Sequence, residues 1–243
     1  MTRESLVVVT AVRTETRAVL EALRHVRRAD VRGLRIWQAE SRGRPVTLVQ
    51  AGIGPARARR ALEAVSPPHG PVLSIGFAGA LVADAKPGDV ALPNSVLWEG
   101  PSSLQRYDVP ASSWRRIDAR VATMNLGATL RGPMLSSSVI VASPEEKRAA
   151  SRRTGAVAVE MEAAGLVPVA CERGVDLLVV RTILDTADVS LAELPADLDS
   201  SWSARAALLG RPRAWPSVWA VARHIPCAAR NLRTTVAAAL TAL

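Results

Sequence analysis

Short apolar runs and amphipathic segments alternate along most of the chain. Residues Leu6–Thr10 form a β-branched apolar run that predicts a buried strand, and residues 13–25 repeat apolar positions at helical spacing, which predicts a helix. Further strands are predicted at residues 34–39, 46–50, 72–75, 90–92, 134–141, 157–159 and 176–182. Further helices are predicted at residues 56–65, 118–126, 162–173 and 217–243, with a capping box that starts another at Ser143 and a kink in the last at Pro226.

Strands that alternate with helices predict an α/β fold. We expect a single domain over residues 1–243, with a central twisted mixed sheet, mostly parallel, flanked by helices. The polar stretch at residues 99–115 predicts a loop, and residues 192–216 predict a loop or short-helix insertion. Ligands of such sheets bind beyond the carboxyl ends of the strands, so residues at strand ends are the ones to examine.

Composition narrows the class of protein. With 243 residues, 49% of them hydrophobic, the chain can bury a sizeable core, and no apolar run reaches the ~18 residues that span a bilayer. The net charge is +9, but the basic residues are nearly all arginine and are spread along the chain, and aromatic residues make up 3%. This pattern argues against nucleic acid as a partner.

The cysteines and histidines give no sign of a metal. Cys171 and Cys227 are far apart in sequence and are predicted to pack in the core. The histidines, at positions 25, 69 and 224, are scattered without ligand spacing. The short apolar run at the N-terminus is interpreted as a strand and not as a signal peptide. We therefore expect a cytoplasmic enzyme without a metal or a redox cofactor.

Three acidic residues stand at or just beyond predicted strand ends: Glu15, Glu162 and Asp185. Each by itself is typical of a helix start, where an acid interacts favourably with the helix dipole. Their shared position at one edge of the sheet favours a common site. N-glycosidic cleavage would use such a set, with an acid for the purine N7, a carboxylate for the ribose hydroxyls and a base for water, or an anion site for phosphate.

Five segments then carry a resemblance to a known family. They are Ala-Val-Arg-Thr-Glu at 11–15, Gln-Ala-Gly-Ile-Gly at 50–54, Gly-Phe-Ala-Gly at 76–79, Val-Ala-Val-Glu-Met-Glu-Ala-Ala at 157–164 and Val-Val-Arg-Thr-Ile-Leu-Asp-Thr-Ala-Asp at 179–188. In this order they resemble the nucleoside phosphorylase/nucleosidase family, in particular the 5′-methylthioadenosine/S-adenosylhomocysteine nucleosidases. The resemblance covers residues 5–190.

The resemblance implies a role for each matching residue. Glu15 falls on the water-activating glutamate, Glu162 on the glutamate that binds the ribose hydroxyls, and Asp185 on the aspartate that donates toward N7. Arg181 falls on an arginine that positions the acidic network, and Met161 packs against the sugar. Other matching positions are held as structural or as further parts of the substrate site: Glu160, Asp188, Gly76 and Phe77.

Several positions depart from the family pattern. Phe77 and Leu184 stand where the methylthioadenosine enzymes carry serine, and Ser74 stands where hexameric phosphorylases carry a phosphate-binding arginine. These losses weaken a phosphate site, since phosphate recognition needs charged donors, and they favour hydrolysis. Phosphate stays open as a co-substrate because Arg13 or Arg17 could replace the missing cation.

Another departure concerns the wall against which the base lies. Val139 or Ile140 would form an aliphatic wall where many relatives place a stacking phenylalanine. These departures resemble the hopanoid-associated branch, which removes adenine from adenosylhopane and ends in an Arg- and Ala-rich C-terminal helix. The branch implies an atypical C-terminal extension at about residues 192–243.

A lipid-linked nucleoside would bring its enzyme to the inner face of the membrane. A peripheral contact is predicted from tryptophans that lie beside arginines, namely Trp202, Trp215 and Trp219 with Arg205, Arg211, Arg213 and Arg223. The alternative is that these tryptophans pack the last helix onto the domain.

Other functions stay open. The substrate could be methylthioadenosine, S-adenosylhomocysteine or futalosine, the enzyme could be a phosphorylase, or the chain could bind a nucleoside without turnover. Relatives are dimers or hexamers, so a homo-oligomer is predicted.

Overall fold

The computed structural model describes residues 5–31, 33–66, 69–100, 102–191 and 215–243. The strands are β1 (Leu6–Thr10), β2 (Arg24–Val31), β3 (Leu34–Ser41), β4 (Arg44–Gln50), β5 (Val72–Ala80), β6 (Val90–Glu99), β7 (Leu104–Asp108), β8 (Thr129–Ser136), β9 (Ala158–Glu160) and β10 (Leu177–Asp185). The helices are α1 (Arg13–Leu20), α2 (Pro55–Ala64), α3 (Ala111–Ala122), α4 (Pro144–Thr154), α5 (Ala163–Glu172), α6 (Trp215–Ala222) and α7 (Ile225–Ala242).

The strands form one mixed sheet, as predicted. Its order is β10-β6-β8-β9-β5-β1-β4-β3-β2, with β7 added on β6. Because β10 also pairs with β5, the strands β5, β10, β6, β8 and β9 close into a ring, and β1, β4, β3 and β2 extend from it as an arm. The predicted α/β class with a mixed sheet is confirmed.

Helices cover both faces of the sheet and bury it. Residues of α2 and α5, among them Leu62 and Leu166, share one apolar cluster with the sheet. Residues of α1, α3 and α7, such as Val19, Ile117 and Leu232, share the other. The apolar stripes that identify these helices in the sequence are therefore the faces that they bury.

One edge of β5 changes its partner part-way along, and this change positions the site. β1 pairs with β5 at residues 72–74, whereas β9 pairs with it at Gly79 and Ala80. Between these two pairings, the backbone at Gly76–Ala78 has no strand on that edge, while β10 occupies the other edge throughout. A gap of this kind at the carboxyl end of parallel strands is where α/β sheets place their ligands.

The predicted helix at residues 13–25 is too long. It ends at Leu20, and Arg24–Val31 forms β2, which pairs with β3 in an antiparallel hairpin. Seven of the eight side chains of β2 are exposed, so this strand has no apolar alternation that a sequence pattern could detect. Its formation depends on hydrogen bonds to β3.

The predicted loop at residues 99–115 and helix at 118–126 are also wrong in part. Residues Leu104–Asp108 form β7 along β6, and α3 begins at Ala111 and ends at Ala122. The polar surface of this region hides the helical spacing of Ser113, Ile117 and Val121, which are the buried positions of α3. Extended backbone predicted up to residue 141 ends at Ser136.

The C-terminal segment forms two helices where a single kinked one was predicted. α6 ends at Ala222 and α7 begins at Ile225, with Pro226 in its first turn, where the missing N–H costs little. α7 belongs to the core, since Thr182 donates to the carbonyl of Ala228 and Leu232 is fully buried.

Some predictions for this region fall on residues that the structure does not describe. Of the insertion predicted at residues 192–216, residues 192–214 lie outside the described residues, and with them Trp202, Arg205, Arg211 and Arg213. Residues 215 and 216 belong to α6. Trp219 is 73% exposed. No helix among the described residues is long and apolar enough to cross a membrane. The prediction that Cys171 and Cys227 are core residues is wrong, because both lie at the surface of their helices.

Candidate active site

A cleft of about 240 Å³ opens at the gap beside β5. Most of the predicted site residues meet there. The predicted residues that line it are Glu15, Phe77, Val139, Ile140, Glu160, Met161, Glu162 and Asp185. Arg181 lies behind this surface, fully buried, and Gly76 lies beneath Glu15.

Glu15 projects from the first turn of α1 into the gap. Its Oε2 accepts the N–H groups of Ala11 (2.8 Å) and Val12 (3.0 Å), and its Oε1 accepts that of Phe77 (2.9 Å). Phe77 N–H is available because no strand pairs with this part of β5 on that side. Burial nevertheless raises the pKa of Glu15 and outweighs these hydrogen bonds, which lower it. A fixed carboxylate with a raised pKa has the properties of a general base.

A buried ion pair forms the base of the cleft. The Arg181 guanidinium donates to a carboxylate oxygen of Glu160 and to Ser74 Oγ (2.9 Å), and its Nη2 lies 3.6 Å from Glu162 Oε2. The same Glu160 carboxylate accepts the N–H groups of Glu162 and Ala163 at the start of α5. Ser74 thus serves to hold Arg181 and does not line the cleft.

Glu162 faces the cleft from the residue just before α5. Its Oε1 accepts the N–H of Gly54 at 3.2 Å. Gly54 has a φ of 104°, a backbone conformation that favours glycine. Burial raises the pKa of Glu162 to about 8, and the negative charges of Glu160 and Glu15 add to the effect. The carboxyl group therefore titrates near neutral pH, in contrast to an exposed glutamate.

Asp185 ends β10, and a buried lysine holds it. Lys147 Nζ donates to Asp185 Oδ2 at 2.6 Å, and the lysine is fully buried. Its other two hydrogen bonds go to the carbonyls of Thr186 (2.8 Å) and Val189 (2.9 Å). The ammonium thus uses all three of its donors.

The Gly-Phe-Ala-Gly segment leaves room for two carboxyl groups. A Cβ on Gly76 would lie 2.6 Å from Glu15 Oε1, and a Cβ on Gly79 would lie 2.9 Å from Asp185 Oδ2. Neither glycine has a positive φ, so the reason for glycine here is close approach and not backbone conformation. A side chain at Gly76 would displace Glu15, and a side chain at Gly79 would displace Asp185.

Aliphatic side chains form the outer part of the cleft. They come from separated segments of the chain: Val12, Ile53, Val139, Ile140, Val141, Leu184, Leu191 and Val221. No lysine or arginine lies among the described residues that line the cleft. The two cations of the site, Arg181 and Lys147, each lie behind an acid.

Comparison with known proteins identifies the family of the chain. Residues 5–211 match the model of the Phosphorylase superfamily. The chain belongs to that superfamily. A comparison with curated proteins gave no significant match.

Solved structures share the superfamily fold over nearly the whole chain. A 5′-methylthioadenosine/S-adenosylhomocysteine nucleosidase from Neisseria meningitidis, in complex with methylthio-immucillin-A, is 20% identical, with a TM-score of 0.78 over 98% of this chain and 99% of that one. The nucleosidase from Streptococcus pneumoniae is 17% identical, with a TM-score of 0.77 over 98% and 99%. Futalosine hydrolase of Helicobacter pylori is 19% identical, with a TM-score of 0.73 over 97% and 98%.

Membership of the Phosphorylase superfamily makes the chain an enzyme of the nucleoside phosphorylase/nucleosidase type. Sequence reasoning missed one polar residue of its site, Lys147. In the sequence this lysine belongs to the charged run Glu-Glu-Lys-Arg at 145–148 and looks like a solvent-exposed residue. The fold reveals that Lys147 and Ala150 form the inner face of α4. Val221 and Leu191 were also missed, because apolar residues carry no signal of which cavity they line.

Proposed function

We propose that the enzyme cleaves the N-glycosidic bond of a purine nucleoside by hydrolysis, with adenine as the base. The observation that carries the proposal is the convergence of Glu15, Glu162 and Asp185 in one cleft at the gap beside β5. The reaction needs three separate functions, and the three acids differ in the groups that hold them. These differences support a distinct role for each.

Asp185 is the general acid. It lies at the end of β10 with Oδ2 fixed by Lys147, and among the described residues none donates to Oδ1. Oδ1 can therefore carry the proton that goes to purine N7, while the bonding electrons of C1′–N9 move into the base. Protonation of the leaving group is the usual role of such a carboxylic acid.

Glu162 binds the ribose hydroxyls, and Met161 packs against the sugar. Positive charge develops on the ribose in the transition state and favours the ionised form of Glu162. Because its pKa of about 8 lies close to neutral, ionisation costs little once substrate is bound. Arg181, behind the cleft, keeps Glu160 and Glu162 in place.

Glu15 activates the attacking water. Three backbone N–H groups orient its carboxylate, and burial raises its pKa, so it can accept a proton from water as C1′ becomes electrophilic. The water oxygen then bonds to C1′ and the proton passes to Glu15. The products are the free base and the ribose with its 5′ substituent.

The charge of the cleft supports hydrolysis over phosphorolysis. The described residues that line it include four acids and no base, so a phosphate dianion would meet repulsion where it needs charged donors. Arg17, one of the suggested replacements for the missing cation, pairs with Glu21 at the surface. Arg13 is also exposed.

The aliphatic outer part of the cleft supports an apolar 5′ substituent. Val139, Ile140, Leu191 and Val221 offer apolar contacts and few polar groups to a ligand there. We extend the proposal to a lipid-linked adenine nucleoside such as adenosylhopane, which suits such a wall. The structural neighbours favour a second candidate, since they include enzymes named for methylthioadenosine, S-adenosylhomocysteine and futalosine.

The test is release of purine base from a panel of nucleosides, with and without phosphate. The panel contains adenosine, methylthioadenosine, S-adenosylhomocysteine, futalosine and 5′-alkylthioadenosines of increasing chain length. We expect adenine release without phosphate, fastest for long apolar groups, and a loss of roughly 10²–10⁴-fold in Asp185→Asn. Asp176→Asn, an exposed change just before the other end of β10, is the matched control.

Other results would redirect the assignment. Dependence on phosphate would make the enzyme a phosphorylase, and fastest turnover of methylthioadenosine or futalosine would replace the lipid-linked substrate. A nucleoside that raises the melting temperature and is never cleaved would make the chain a binding protein.

A further inference from the structure

We propose that Lys147 is a positioning residue for the general acid Asp185, which it orients and whose carboxylate it stabilises as the proton leaves. This inference rests on the proposed function. It is carried by the buried contact of 2.6 Å between Lys147 Nζ and Asp185 Oδ2.

The place of Lys147 in α4 argues against a role in helix stability. Ser143 caps α4 and Pro144 is its first residue, so Lys147 lies in the first turn, close to the helix N-terminus. A cation is disfavoured there by the helix dipole, and the acids Glu145 and Glu146 already supply the favourable charge. Removing an ammonium from water is costly even when it is paired, so a buried ion pair contributes little to stability.

The geometry gives the lysine two effects on Asp185. Donation to Oδ2 fixes the rotation of the carboxyl group and directs Oδ1 to the substrate. The bonds to the carbonyls of Thr186 and Val189 fix the backbone that follows Asp185, so the acid is held from both sides. An acid held in this way loses little freedom when the nucleoside binds.

The charge acts during the chemical step. Asp185 donates the proton on Oδ1 to N7 and becomes a carboxylate, while the electrons of the C1′–N9 bond pass to the base. The positive charge of Lys147, 2.6 Å from Oδ2, stabilises the new negative charge. Water supplies the replacement proton through Glu15 and solvent, so the cycle closes without another reactant.

A double-mutant cycle on adenine release tests the inference. Lys147→Met should lower kcat by roughly 10²-fold, within the range of general acid–base groups, with KM little changed. In an Asp185→Asn background the same substitution should change kcat by less than about threefold, because the lysine would have no carboxylate to act on. Arg148→Met removes an exposed charge from the same helix and should leave kcat unchanged.

Equal losses in both backgrounds would overturn the inference, since they would indicate a structural role. If Lys147→Met does not fold, Lys147→Gln, which keeps a neutral donor, takes its place. The double variant Lys147→Met/Asp185→Asn removes both charges of the buried pair, so neither partner is left buried without the other. The wild-type protein tests the proposed function separately. If the wild type releases no base, the proposed function is wrong, whatever the variants do.

A second substrate gives a ratio that does not depend on how much protein is folded. The 4-nitrophenyl riboside with the same 5′ group has a leaving group that needs no proton. Lys147→Met and Asp185→Asn should both raise the ratio of nitrophenol release to adenine release, by roughly 10²-fold or more. An unchanged ratio in Lys147→Met would contradict the inference.

Discussion

The inner and outer parts of the cleft are built in different ways. In the inner part, Glu15 and Glu162 are fixed by backbone N–H groups, and Asp185 is fixed by Lys147. In the outer part, the segment of residues 137–143 carries Val139, whose side chain is 67% exposed and makes no directional contact.

This difference separates chemistry from substrate choice. The inner acids are held by hydrogen bonds and ion pairs in low dielectric, where a misplaced group is costly. The outer wall offers apolar area, which tolerates changes of shape. We therefore expect substitutions in the inner part to affect kcat or stability, and those in the outer part to affect the preference for a 5′ group.

The largest effect is expected from Glu15→Gln. The amide cannot accept a proton from water, so kcat for base release should fall roughly 10²–10⁴-fold. Steady-state kinetics on the fastest substrate of the panel measures it. Glu21→Gln, an exposed change at the end of α1, is the control and should keep wild-type rates. A rate for Glu15→Gln within threefold of wild type would exclude Glu15 as the base.

Arg181→Met should have the next largest effect, on stability. It leaves the Glu160 carboxylate buried without its cation, which costs about 3–5 kcal/mol in the free energy of unfolding. Urea unfolding measures this loss. The double variant Arg181→Met/Glu160→Gln should recover much of it, and failure to recover would show that packing, and not charge, accounts for the loss.

Glu162→Gln should change how stability depends on pH. In the unfolded chain Glu162 loses its proton near pH 4.5, whereas in the folded protein it keeps it up to about pH 8. Between these values the folded state binds more protons, so the wild type loses stability as pH rises.

The glutamine variant lacks this contribution. Its stability relative to the wild type should increase by a few kcal/mol from pH 4.5 to 8 and stay level above that range. Urea unfolding at several pH values measures the difference. A difference that does not change with pH would show that the pKa of Glu162 is not raised.

The smallest effect is expected in the outer wall. Val139→Ser should raise KM for nucleosides with long apolar 5′ groups by roughly fivefold, equivalent to about 1 kcal/mol of lost apolar contact. KM for adenosine should not change. Val26→Ser, an exposed valine on β2, is the control. An equal change of KM for adenosine would mean that Val139 contacts the base or the sugar.

The strand-end acids could be predicted from sequence because their position depends on short local signals. Glu15, Glu162 and Asp185 each follow an apolar run, and the sheet brings the ends of such runs together. Lys147 and β2 could not be predicted in this way. Lys147 belongs to a charged run, and its partner Asp185 lies 38 residues away in the sequence. Nearly all side chains of β2 are exposed, so that strand has no apolar alternation of its own.

The sequence by itself determined the α/β class, most of the strands and helices and the three acids, because apolar periodicity and glycine positions act over a few residues. The tertiary structure decided where β5 exchanges β1 for β9, and thus where Phe77 N–H meets Glu15. It also decided that a lysine from the first turn of α4 is buried against Asp185. Such contacts depend on how distant segments pack, and the pattern of one segment does not encode its partner.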